Sequence, residues 1–254
     1  MSGHSKWATI KHKKGAADKA RAKVFNKIAR LLEVAAREGG ADPTSNAPLR
    51  TVIQKAKAAQ MTNDAIDRAV KRGAGLSEGG TYESITYEGY APGGVAMLVD
   101  VLTDNRNRSS ADVRSTFSKM GGSLAEPGAV GWQFSRRGVI VVHGGDEDGV
   151  MMAALDAGAD DVADDGATEN GQRSWRITSD PSIVYDVRDA LQSAGLDVSS
   201  AESTMVSSMT VEVTDAEDAR KILRIMDALE ELDDVQDVYS NFDISDDLME
   251  EVSA

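Results

Sequence analysis

The stretch TYESITYEGYAPGGVAMLVDVL, residues 81–102, decides how this chain divides. Two runs rich in Tyr, Val, Ile and Leu flank the turn-forming APGG at 91–94, which predicts a β-hairpin beginning near Tyr82. Upstream, apolar residues recur at helical spacing, so the period of the sequence switches from helix to strand here. The polar TDNRNR at 103–108 is expected as a loop, and Val113, Phe117 and Met120 then predict a helix stopped by Gly121 and Gly122. Near the other end, MTVEV at 209–213, a helical pattern over 216–232 and VQDVY at 235–239 read as strand, helix, strand. That unit has no hairpin with which to complete a sheet, and the first hairpin and helix lack a second half. They are therefore expected to pair, which makes residues near 134–203 an insertion.

Within the insertion, WQF and GVIVVH, around residues 132–143, predict a second hairpin joined by Ser135, Arg136 and Arg137. A helix near 148–157, a short acidic segment ending at Gly166, the strand WRIT at 175–178 and a helix over 180–192 closed by Gly195 complete it.

Residues 16–38 predict a helix with Val24, Ile28, Leu31 and Ala35 on one face, widened by Phe25 and Leu32. Lys19, Lys23, Lys27 and Arg30 form an adjacent cationic edge, and Gly39-Gly40 ends the helix. A second helix starts at Asn46 to Pro48 and presents Leu49, Val52, Ile53 and Ala56. Thr62 caps a third that carries Ile66, Ala69 and Val70 and closes at Gly73. The expected class is α+β: an N-terminal three-helix domain followed by two α/β sandwich domains with antiparallel sheets, the third domain inserted in the second. The boundaries are 1–75 for the basic helical domain, 76–133 plus 204–243 for an acidic domain, 134–203 for the acidic insertion, and 244–254 for an acidic tail.

The net charge of −14 over 254 residues conceals a division. Residues 1–75 hold 16 Lys and Arg against 6 Asp and Glu, whereas residues 76–254 hold 12 against 36, so the two parts carry +10 and −24. Such a split marks either a nucleic-acid-binding arm on a body that repels the same polymer, or a basic segment packed on its own acidic body. No apolar run is long enough to cross a bilayer, and the basic stretch at 6–14 leads into a charged helix rather than a signal-peptide core. With no cysteine there is no thiol chemistry or zinc-thiolate site, and the cytoplasm is the expected compartment.

Enzyme chemistry finds no support. His4, His12 and His143 are too scattered for a metal site, and the acidic clusters at 146–148, 160–165 and 233–234 do not follow the calcium-loop ladder. Phosphate-binding glycine loops and a nucleophile elbow are absent, so no cofactor and no catalytic group is expected.

The positive signal is HSKWATIKHKKGAADKARAK at 4–23. Lys6, Lys11, Lys13, Lys14, Lys19, Arg21 and Lys23, followed by Lys27, supply closely spaced cations for phosphates. His4, Ser5 and His12 can hydrogen-bond phosphate. Trp7 either stacks on an unpaired base or folds back to pin the segment. A second candidate is Asn105, Arg106, Asn107 and Arg108, set between a strand and a helix N-terminus; they contact an anion there or pair with local carboxylates.

GHSKW at 3–7, the basic run through Lys14, MTNDAIDRAVKRG at 61–73, YEGYAPGG at 87–94, DNRNR at 104–108, VRSTFSKMGGSL at 113–124 and DDVQDVYSN at 233–241 together resemble the YebC/PmpR family of bacterial proteins, which includes a mitochondrial translational activator. The resemblance runs in order across nearly the whole chain. One departure is Ser207, where members usually carry proline after the apolar pair matched by Met205-Val206. It implies three domains and a cytoplasmic, non-enzymatic regulator, described for some members as a probable DNA-binding transcriptional regulator and for others as a translation factor at the ribosome. The implied partner is DNA or ribosomal RNA, with the acidic domains free to face the ribosome or another protein. Few base-reading side chains start the N-terminal helices, which leans the residues themselves toward structured RNA.

Overall fold

The computed structural model describes residues 18–75, 81–168 and 170–253. Three helices open it: α1 (Asp18–Gly39), α2 (Ala47–Ala58) and α3 (Asn63–Gly73). Asn46 caps α2 by accepting from the Leu49 backbone N–H, and Thr62 caps α3 by accepting from that of Ala65. Ile28, Leu32 and Ala36 of α1 meet Leu49 and Ala56 of α2 and Ile66 and Ala69 of α3 in one small core. The buried Glu33 is held by Arg72 at 2.6 Å, so the single charge inside this core is paired.

The hairpin follows as β1 (Glu83–Ala91) and β2 (Val95–Thr103), in register from Glu83 opposite Thr103 to Ala91 opposite Val95. Gly93 and Gly94 take φ of +73° and +77°, which lets the three-residue turn close. Helix α4 (Arg106–Lys119), the two-residue β3 (Ser123–Leu124), strand β8 (Val211–Val213), helix α7 (Ala216–Glu230) and strands β9 (Val235–Ser240) and β10 (Phe242–Ile244) complete this domain. The sheet order is β3-β1-β2-β9, all antiparallel, with β10 and β8 as a separate parallel pair. The pairing of β2 with β9 is the expected closure of the hairpin by the distant strand. Val95, Met97, Val99 and Val101 of β2 pack under Val113 and Phe117 of α4 and Ile222, Ile225 and Met226 of α7. Ala96, Leu98 and Leu102 on the other face of β2 are buried too, which explains its almost unbroken apolar run.

The insertion is built on a four-stranded sheet, order β5-β6-β4-β7, from β4 (Phe134–His143), β5 (Asp161–Ala167), β6 (Arg173–Ser179) and β7 (Asp197–Ser207). Helices α5 (Glu147–Asp156) and α6 (Val184–Ser193) pack Val150, Ala154, Val184, Val187 and Leu191 against Ile140, Val142, Trp175 and Ile177. The chain separates into two compact units, Met1–Phe134 with Ser207–Ala254 and Ser135–Val206. The class is α+β, with the insertion inside the second domain.

Three local expectations are corrected, and one segment without an assignment gains a structure. Residues 132–143 are not a hairpin: Gly131–Gln133 form a 3-10 turn and β4 runs straight through Ser135, Arg136 and Arg137, since these carry no turn-forming Gly, Asn or Pro. The acidic segment ending at Gly166 is an edge strand, β5, whose Asp164 and Asp165 pair with Arg173 and Arg176 of β6. Residues 103–108 are only half a loop, because α4 begins at Arg106. The segment expected as an acidic tail from 244 onward is structured through 253: Ile244 lies in β10, and helix α8 (Asp246–Ser253) buries Met249 and packs Leu248 and Val252 against the second domain's core. Ser207 ends β7, and its hydroxyl accepts from the backbone N–H of Met209 and donates to its carbonyl, shaping the turn that follows.

Candidate nucleic-acid interface

His4, Ser5, Lys6, Trp7, Lys11, His12, Lys13 and Lys14 lie outside the described residues, as does the side chain of Lys19. Arg21 is exposed on the first turns of α1. Further along, the same helix turns its cations inward. The Lys23 ammonium meets the carboxylates of Glu231 at 3.1 Å and Asp233 at 3.5 Å and also donates to the Glu231 carbonyl. Lys27 donates to the Glu230 carbonyl at 2.8 Å. Arg30 bonds the carbonyl of Asp233 and the Oδ1 of Asp234, both at 3.1 Å, and lies over the ring of Tyr82 at 5.6 Å. On α2, Lys55 reaches Asp237 at 3.2 Å. The edge expected to hold phosphate at Lys23 and Lys27 therefore docks the helical domain on the end of α7 and the start of β9. These carboxylates satisfy the cations locally, which is the second of the two readings of the charge split for this edge.

Asp234 is the centre of that contact, its side chain only 10% exposed. Its Oδ2 accepts from Arg108 at 2.6 Å, from Ser109 Oγ at 2.7 Å and from Thr103 Oγ1 at 3.0 Å. Burial pushes its pKa up, but the bonds from Arg108, Ser109 and Thr103 outweigh it and leave the carboxyl below its ordinary value. Arg108 is correspondingly held firmly in its charged form by Asp234 and Asp104. The second candidate patch is thus largely architectural. Asn105 caps α4 by accepting from the Arg108 backbone N–H, Arg108 joins the Asp234 network, and Arg106 lies 4.0 Å from Glu83. Asn107 remains exposed on the first turn of α4.

The helical domain keeps other cations in solvent: Arg37, Arg50, Lys57, Arg68 and Lys71. Arg50, Gln54 and Lys57 recur at 4 and 3 residues along α2, a single stripe, and with Pro43, Thr44 and Ile53 they line an open cleft of about 390 Å³. Sequence reading missed this stripe, because only the inward turn of Lys55 separates the two sides of α2. Among the described residues no cluster of three or more His, Asp or Glu side chains is placed to hold a metal, and no helix is long and apolar enough to cross a membrane.

Two family models match in sequence order: the TACO1/YebC protein N-terminal domain over residues 5–76, and the TACO1/YebC second and third domain over residues 82–242. A "Probable transcriptional regulatory protein" of Beutenbergia cavernae is 54% identical over 256 residues, 99% of each chain. One of the same designation from Geobacter sulfurreducens is 49% identical over 253 residues, 99% of this chain and all of its own. The crystal structure of a conserved hypothetical protein from Aquifex aeolicus superposes with a TM-score of 0.75 at 42% identity, covering 89% of this chain and 91% of that one. The chain belongs to the TACO1/YebC family.

Proposed function

We propose that this protein is a non-enzymatic, nucleic-acid-binding regulator of gene expression that grips its target through the basic N-terminal segment and the outward cations of the helical domain. The observation that carries this reading is the charge division of +10 against −24, together with the fact that the inward edge of α1 accounts for only part of the positive charge. Lys6, Lys11, Lys13, Lys14, Lys19 and Arg21 are the cations assigned to phosphate in this reading, joined by Arg50 and Lys57. Contacts of this type give affinity and position, and the net negative charge of the acidic domains limits those domains to local contacts that do not rest on charge. The designation of the relatives supports transcription as the first reading, and DNA is the polymer that this reading implies.

A second reading, a translation factor contacting ribosomal RNA, is favoured by one feature: α2 offers its Arg, Gln and Lys as a spaced stripe along its length rather than as a base-reading N-terminus. Crosslinking in living cells with sequencing of co-purified DNA and RNA, intact chain against one lacking residues 1–15, separates them. Segment-dependent enrichment at discrete promoters supports transcription. Enrichment of ribosomal RNA at one locus supports translation, and no enrichment of either removes both.

A further inference from the structure

Trp132 is 69% exposed, in contrast to Trp175, which is 2% exposed in the core of the insertion. A large aromatic left in water usually sits on a loose loop, and this one does not. The Glu88 carboxylate accepts three backbone N–H bonds from the loop, from Gly128 and Val130 at 2.6 Å and Gly131 at 2.7 Å. Those bonds hold its pKa below the ordinary range against the opposing effect of burial. A Cβ at Gly131 would stand 3.1 Å from a Glu88 oxygen, so a side chain there would push the carboxylate by a few tenths of an ångström. On one side of Trp132, Val130 is fully buried; on the other, Gln133 is anchored by Asn241 Nδ2 at 2.8 Å on its Oε1 and by the Ser208 N–H at 2.8 Å on its carbonyl.

The indole Nε1–H donates to the Ala129 carbonyl at 3.2 Å, and the hydroxyl of Tyr90, itself 38% exposed, donates to the same oxygen at 3.4 Å. Both aromatics thus turn their polar handles to the protein and leave ring surface for a ligand. Around them, Glu88 is saturated by backbone N–H groups, Glu126 of the loop is exposed, and Lys119 is exposed at the end of α4, whose following turn abuts Tyr90 through Gly122.

Resting on the nucleic-acid reading above, we propose that Trp132, flanked by Tyr90, is a stacking platform for one unpaired nucleobase of the bound polymer. A rigid ring face whose own donor is already engaged offers a flat π-surface on which a base can stack, and a base inside a duplex has no open face to offer. The platform adds stacking; the basic segment supplies the charge.

The test uses the full chain and its Trp132→Ala and Trp132→Phe variants with single-stranded RNA, single-stranded DNA and duplex DNA of about 12 units each, across a salt series. Trp132→Ala is expected to weaken binding to one or both single strands by about 5- to 100-fold, to leave duplex binding and the salt slope unchanged, and to be largely rescued by Phe. Which single strand responds identifies the polymer. Unchanged single-strand affinity in Trp132→Ala overturns the platform and leaves the nucleic-acid reading standing, including where the variant instead loses a protein partner. Equal loss on duplex and single strands with a lowered melting temperature marks a structural tryptophan and also overturns it. Failure of the unaltered chain to bind any of the three removes both.

Discussion

On α1, Lys23, Lys27 and Arg30 point into the carboxylates and carbonyls of residues 230–234, whereas on α2 Arg50 and Lys57 line a cleft open to solvent. Both sets belong to one domain of net charge +10, and nothing in their residue types separates them. The difference is what faces them. Residues 207–254 hold 15 Asp and Glu against 3 Lys and Arg, and their densest run, 230–237, meets α1 and Lys55. Net charge counts cations; only packing shows which of them a polyanion can reach.

The largest expected effect lies in the basic N-terminal segment. Changing Lys11, Lys13 and Lys14 together to Glu should abolish nucleic-acid binding, measured by fluorescence anisotropy. In the unaltered chain, about 4 neutralised phosphates would make the logarithm of affinity fall with that of salt at about −0.9 per phosphate on duplex DNA. A flat salt response contradicts phosphate contact.

Next is the inward group. Asp234→Ala removes the shared partner of Arg30 and Arg108, which keep the Asp233 carbonyl and Asp104, and takes an acceptor from the buried hydroxyls of Thr103 and Ser109; it should lower unfolding free energy by about 1 to 3 kcal/mol in urea titration. The same variant should let the α1 edge reach a polyanion, steepening the salt slope; a loss near zero would mean that the network is dispensable. Its pH dependence has a definite sign. Because the folded pKa lies below the unfolded one, the stabilisation is complete above the ordinary Asp value near about 4 and disappears as pH falls through the lowered value. Acid unfolding of Asp234→Asn should therefore be less steep in that window.

The smallest effect concerns the end of α2. Gln60 holds a φ of +62°, and the bonds from its own N–H to the Lys57 carbonyl and from the Met61 N–H to that of Ala56 close the helix as glycine commonly does. Gln60→Gly should raise stability by about 0.5 to 1 kcal/mol without touching the inward contact. If it weakens binding instead, the Gln60 side chain belongs to the outward surface.

Much of the fold was legible because local rules and tertiary packing agree. Asn46 and Thr62 cap where the sequence places caps, Gly40 takes the φ of +86° that stops α1, and the hairpin turns at Gly93. The pairing of β2 with β9 followed from two incomplete units that each needed the other. What escaped was segments whose composition argues against their structure. Strand β7, DVSSAESTMVS, is polar and mostly half-exposed, so it offers no alternation to read. Helix α8 hides Leu248, Met249 and Val252 among four carboxylates. In the candidate site, the amphipathic cationic edge of α1 was visible, but its destination was not, since a salt bridge across about 200 residues leaves no local trace. Trp132 read as a strand residue because Gln133, polar yet buried, breaks the pattern that would have set it outside.

The most direct measurement compares two double variants on the same duplex and single-stranded probes across a salt series: Arg50→Gln with Lys57→Gln, and Lys23→Gln with Lys27→Gln. The outward pair should reduce the magnitude of the salt slope by about 0.9 per lost phosphate contact on duplex DNA, and the inward pair should leave it unchanged. A reduced slope for the inward pair with an unchanged slope for the outward pair would contradict the division of the two surfaces.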